Sequence, residues 1–229
     1  MFRPPPATAP TRSPRSSSSK PVLKLRSATA IIAIVTMVVS AIAILFPGVD
    51  YSATHGGFIP GRLTGHLNLP GAVPAVLTLW TSALLHGGWL HLAINMVMLV
   101  FVGSQVERVI GAGGLVFAYL VGALVSAGAQ FVVDPTSTTP LVGASGAISA
   151  LFGLYALFFG RPKQVVKNQK LNRWIHAAWL LAAWIVLQWM TGLLAGGEGV
   201  LLATPAHIGG FIAGMLLQRP LLLWRYRKA

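Results

Sequence analysis

Three groups of residues carry the functional groups that could break a peptide bond. They are Ser145 in Gly143-Ala144-Ser145-Gly146, His207 in Ala206-His207-Ile208-Gly209-Gly210, and the set His86, His91 and Asn95. A neutral imidazole held against a serine hydroxyl takes its proton as the oxygen attacks a carbonyl, then returns it to the leaving amine. His91 and Asn95 are four residues apart, hence on one helix face, and both offer N–H donors of the kind that hold the negative charge of a tetrahedral intermediate. The backbone N–H of Ser145 is a further donor. His86, five residues before His91, falls off that face and is assigned to shaping the pocket or the loop rather than to proton transfer. The four acids are Asp50, Glu107, Asp134 and Glu198, and none lies near these groups along an apolar run. A serine hydrolase built here is therefore a Ser-His dyad.

Singly, each motif has a plainer reading. With 25 glycines in 229 residues, a G-x-S-G pattern is weak, and Gly146, Ala150 and Gly153 recur at the spacing of a small-residue packing face. The G-x-S-x-G elbow of soluble hydrolases does not fit, because residue 147 is alanine and no strand precedes it. A histidine in an apolar run can serve a structural hydrogen bond, as can the His91 and Asn95 pair. Gly210 and Gly214 form a G-x-x-x-G face that points roughly as His207 does, so the helix carrying His207 can approach the one carrying Ser145 closely.

Composition says what must position these groups. The chain is 55% apolar and 9% charged, against about 25% charged for an ordinary soluble domain, and reads as an all-α polytopic membrane protein. Cysteine is absent, which removes disulfides and thiolate chemistry together. Apolar runs predict six spans, at about 28–46, 89–106, 112–133, 142–159, 175–194 and 201–217, the last extending toward Trp224. Residues 47–86, rich in Gly and Pro, read as an external loop or an interfacial segment, with Trp80 suited to the interface.

The net charge of +13 is distributed as in an inserted membrane protein, not as in a nucleic-acid binder. With the N-terminus inside, sixteen of the seventeen Lys and Arg fall on the inner side and Arg62 alone outside, so the positive-inside rule predicts N-in and C-in. Spans two, four and six then run inward from the outer face, and His91, Asn95, Ser145 and His207 share one outer layer. Glu107 falls at the opposite end of span two, as a structural or charge-pairing residue beside Arg108. Residues 1–27, a Pro, Ser and Arg-rich arm, read as a disordered cytoplasmic tail, with an organelle transit peptide as the rival. Residues 28–224 form the membrane domain and 225–229 a basic cytoplasmic tail.

The combination His86-x4-His91-x3-Asn95, Gly143-Ala144-Ser145-Gly146 and Ala206-His207-x2-Gly210-x3-Gly214, in that order on spans two, four and six, resembles the rhomboid family of intramembrane serine proteases. The resemblance implies a six-helix bundle with Ser145 as nucleophile, His207 as its base, and His91 and Asn95 helping to hold the oxyanion. It implies no cofactor, and it implies single-pass membrane proteins as substrates, cut near their outer end with small side chains at the bond. Glu107-Arg108 before Gly111 looks like the acidic and basic pair that family members carry. Two departures stand out. Arg62 follows Gly61 where relatives have a Trp-Arg pair, and Ser149 stands where some relatives place an aromatic ring against the catalytic histidine. Phe152 and Phe211 are the candidates to replace that ring.

Two rivals use the same polar layer. One is a metal site on His86, His91 and His207, which lacks an H-E-x-x-H motif and a carboxylate base. The other is a small-solute transporter, although the polar residues cluster near one face rather than at the midplane. The expected partners are transmembrane substrates and the lipid bilayer, and short loops around six spans fit a bacterial inner membrane. Oligomeric state is not legible in the sequence.

Overall fold

The computed structural model describes residues 27–160, 164–194 and 203–227. The N-terminal arm up to Arg26 and the last two residues of the basic tail lie outside the described residues. Among those described, the chain is helical, with a single antiparallel bridge between Phe58 and Leu141 as its only β feature. The helices are α1 (Ala28–Leu45), α2 (Val49–Gly56), α3 (Pro60–Leu63), α4 (Thr78–Thr81), α5 (Trp89–Met98), α6 (Ser104–Val133), α7 (Ser145–Phe159), α8 (Gln169–Leu194) and α9 (Thr204–Tyr226). Among the described residues three stretches are long and apolar enough to cross a membrane, Ala28–Leu45, Trp89–Val133 and Thr204–Tyr226, and Ser145–Phe159 is a shorter apolar helix.

Residues 89–133 do not form one straight rod. A π-helical turn at Leu99–Gly103 joins α5 to α6, and Gly111 leaves helical geometry altogether at φ 77°. That backbone state is open to glycine without a Cβ clash, and it falls where the sequence places the turn between spans two and three. At the other end α9 continues through Pro220 to Tyr226, two residues into the segment read as a tail. The Tyr226 hydroxyl donates to the Val109 carbonyl at 3.1 Å.

The faces are arranged as a lipid environment demands. Along α1 the buried residues are small or polar, Thr29, Ala33, Thr36 and Ser40 among them, while Ile31, Val38 and Ile42 are exposed. With lipid as apolar as leucine, burial of large side chains drives little, and close backbone approach through small residues decides which face turns inward. At the start of α1, Glu107 accepts the backbone N–H groups of Ala28 and Thr29, both at 2.9 Å, and the Thr29 hydroxyl at 2.6 Å. The partner of Glu107 is thus the N-terminus of α1 rather than Arg108. The orphan donors and the helix dipole there both favour a carboxylate.

The segment before α5 is packed against the rest of the chain. Phe58 and Ile59 are buried, and Trp80 is half-buried against the bundle. Its indole N–H donates to the Leu120 carbonyl at 3.1 Å, thirteen residues or about 20 Å short of the end of α6.

Helices α6, α7 and α9 pack on one another and form the centre of the bundle. Helix α7 is buried at every position from Ser145 to Leu154, and a helix apolar all round is a core helix. Glycines set its contacts. A Cβ on Gly214 would strike the Ala150 carbonyl, one on Gly210 the Gly146 carbonyl, and one on Gly153 the Phe211 carbonyl. The G-x-x-x-G face of α9 therefore lies against α7, as its position relative to His207 predicted. Gly146 lies between two neighbours, since a Cβ there would meet Ser126 of α6 while its carbonyl faces Gly210 of α9.

Candidate active site

Ser145 is the first residue of α7, and Gly143 and Ala144 precede the helix rather than opening it. The start of span four expected at about 142 is thus three residues of loop. The consequence is chemical. The first turn of a helix leaves backbone N–H groups without intrahelical acceptors, and here Ile148 is the residue whose N–H closes on Ala144 at 2.9 Å. The Ser145 N–H therefore stands at the positive end of a helix, beside its own side chain.

His207 lies in the first turn of α9, which the glycine contacts hold against α7. Its Nε2 is 2.9 Å from Ser145 Oγ, and both residues are buried. The second ring nitrogen, Nδ1, has no hydrogen-bond partner among the described residues. The pair is a dyad in geometry: serine and imidazole with no carboxylate behind them among the described residues. Glu198 lies outside those residues.

His91 reaches the same place because Gly143 has no side chain. A Cβ on Gly143 would stand 3.0 Å from His91 Nε2 and 3.6 Å from Ser145 Oγ, and its φ of +123° is itself glycine territory. Gly87 donates its N–H to His91 Nδ1 at 3.3 Å, so the neutral ring carries its proton on Nε2, next to the nucleophile loop. Asn95 is fully buried but turned along its own helix, donating from Nδ2 to the His91 carbonyl at 2.9 Å. Of the two side chains expected at the oxyanion, His91 is the one brought to the loop.

His86 lies between α1 and the loop before Ser145. Its Nδ1 lies 2.7 Å from Ser40 Oγ and its Nε2 accepts the Ala144 N–H at 3.3 Å. Burial, then the neighbouring His91, lowers the His86 imidazole to about 3. With both nitrogens engaged, His86 has no lone pair left for a metal. Among the described residues no three of His, Cys, Asp and Glu are grouped as metal ligands.

The ring beside His207 is neither Phe152 nor Phe211. Trp184 of α8 meets the imidazole edge-on at a centroid distance of 6.4 Å and an angle of 64°, and Phe152 packs behind Trp184 at 4.7 Å. Trp184 also donates its indole N–H to Ser149 Oγ at 2.8 Å, while the Ser149 hydroxyl donates to the Ser145 carbonyl at 2.7 Å. Sequence reasoning missed Trp184. The available signal was that a buried indole needs an acceptor, and Ser149, placed where an aromatic ring was expected, is that acceptor.

A small pocket opens over the dyad, walled by Ser145, His207 and Gly146 and by small residues of the neighbouring elements such as Ala83, Ala123 and Ala127. What the fold and site define is a multi-pass helical membrane protein with a serine and a histidine paired inside the bundle. Residues 74–224 match the rhomboid domain family model, and the chain belongs to the rhomboid family. It is 35% identical over 152 residues to rhomboid protease GlpG of Pectobacterium atrosepticum, covering 62% of this chain and 48% of that protein. It is 41% identical over 75 residues to rhomboid protease GluP of Bacillus subtilis, covering 33% of this chain and 14% of that one. It is 32% identical over 115 residues to human rhomboid-related protein 3, covering 50% of this chain and 26% of that one. The chain spans less than half the length of these curated relatives.

Proposed function

We propose that this protein is an intramembrane serine endopeptidase that cuts transmembrane proteins through a Ser145-His207 dyad. The observation that carries this reading is the buried 2.9 Å contact between Ser145 Oγ and His207 Nε2, in a member of a family whose curated relatives include proteins named rhomboid protease. Ser145 Oγ attacks the substrate carbonyl as His207 Nε2 takes its proton. The Ser145 N–H and the His91 Nε2–H stabilise the oxyanion, with Asn95 holding His91 through its backbone carbonyl. His207 returns the proton to the leaving amine, and a water then enters by the same base to release the acyl group.

The substrate is a membrane-spanning segment of a single-pass protein, unwound where it enters the pocket. Helical backbone is a poor substrate because its carbonyls are already hydrogen-bonded, so helix-weakening residues in the target favour cutting. The six-span, N-in and C-in topology places the dyad near the outer face, and the arm, when present, in the cytoplasm of a bacterial cell. His86 is committed to Ser40 and Ala144, which disfavours the metal-site rival.

Purified protein reconstituted with a fluorogenic transmembrane substrate tests this. Wild type should cleave, and Ser145→Ala and His207→Ala should each lose at least about a thousandfold in turnover. Full activity in Ser145→Ala would sink the dyad.

A further inference from the structure

The residues just before Ser145 are held by groups whose own anchor lies on α1. Gly143 donates its N–H to the Ser82 carbonyl at 2.9 Å, and Ala144 donates its N–H to His86 Nε2 at 3.3 Å. Both acceptors belong to the short stretch 82–86. Ser40 Oγ in turn touches that stretch twice, at the Leu84 carbonyl and at His86 Nδ1, both at 2.7 Å. Ser40 and His86 are both buried, so no bulk water substitutes for either contact.

The proton count allows one arrangement. A hydroxyl has one hydrogen, and the Leu84 carbonyl can only accept, so Ser40 donates there and receives from His86. His86 then carries its proton on Nδ1, and its Nε2 is free to accept from Ala144. In the opposite tautomer an Nε2–H would face the Ala144 N–H, donor against donor. Ser40 therefore selects the form of His86 that can hold the nucleophile loop.

We propose that Ser40 is a positioning residue for the nucleophile: by accepting from His86 Nδ1 while donating to Leu84, it fixes the His86 tautomer that clamps the Ala144 N–H and sets Ser145 toward His207. This rests on the protease reading above. It assigns a role in turnover to a serine of α1, a helix that contributes nothing to the pocket wall or the dyad.

The test is a set of substitutions at position 40 read two ways. Ser40→Ala should lower kcat about tenfold with KM unchanged, since misplacement of a reacting group acts on the chemical step. Ser40→Thr, which keeps the hydroxyl, should retain more turnover than Ser40→Ala at equal or lower melting temperature. In protein labelled with 15N histidine, with the His86 signals assigned by their loss in His86→Gln, wild type should show the Nδ1–H form and Ser40→Ala a shift away from it. Wild-type kcat in Ser40→Ala, or unchanged His86 signals in that variant, overturns the proposal. An inactive wild type overturns the protease reading instead, and the nitrogen signals still decide whether Ser40 selects the tautomer.

Discussion

Among the described residues Ser145 and His207 meet without an acid and His207 Nδ1 has no partner, so the orientation of the imidazole comes from packing and from its contact with Ser145. Trp184 supplies that packing. Its ring lies against His207, and its N–H reaches Ser149, which is bonded to the Ser145 carbonyl. Trp184→Phe keeps a ring and removes the N–H, and steady-state assays should show kcat about two- to tenfold lower, the range of one buried hydrogen bond. Trp184→Ala should cost more, because it also removes the ring and leaves a cavity. Equal turnover in the two variants would show that the ring contributes nothing. At this scale the dyad was legible in the sequence, because polar groups in apolar runs are few and costly. Trp184 was not. It is one of seven tryptophans, and a tryptophan in a span is compatible with lipid, protein or interface until the rotation of its helix is known.

At the scale of elements, the site depends on where helices begin. Helix α7 starts at Ser145, which leaves that residue's N–H free, and α1 starts at Ala28, where Glu107 takes the N–H groups that would otherwise be orphaned. Glu107→Ala leaves two amides and a hydroxyl short of an acceptor. It should destabilise the protein by about 2–4 kcal/mol, seen as a lower melting temperature in detergent, with Glu107→Gln falling between because it keeps one acceptor oxygen. A Glu107→Ala protein as stable as wild type would show that water replaces the carboxylate at no cost. The apolar runs matched α1 closely but placed the starts of α6 and α8 six to eight residues late, since hydropathy is a local property that does not see where a helix runs on past its apolar part. They missed that 47–86 packs against the loop between α6 and α7 and, at Trp80, against α6 itself, because that packing uses Gly61, Trp80 and the bridge at Phe58, whose partners lie in distant sequence.

For the whole molecule, the lysine and arginine asymmetry predicts that both ends of the membrane domain face the cytoplasm. A green fluorescent protein fused after Ala229 should be bright in bacterial cells and an alkaline phosphatase fused there inactive. The reverse pattern would invert the bundle and move the dyad to the inner face. Orientation of this kind is read from charge counts alone, and so is membrane residence, from a chain 55% apolar and 9% charged. The sequence by itself thus determined the class of protein, the approximate helices and the identities of Ser145, His207, His91 and His86 as the groups to watch. Each follows from the type of a residue and its immediate neighbours. Only the tertiary structure decided that Asn95 turns along its own helix, that Glu107 caps α1, that Trp184 stands beside His207 and that Ser40 meets His86. Those are contacts between distant residues, set by helix rotation and by the depth at which glycines let backbones approach, and neither quantity is written in any one stretch of chain.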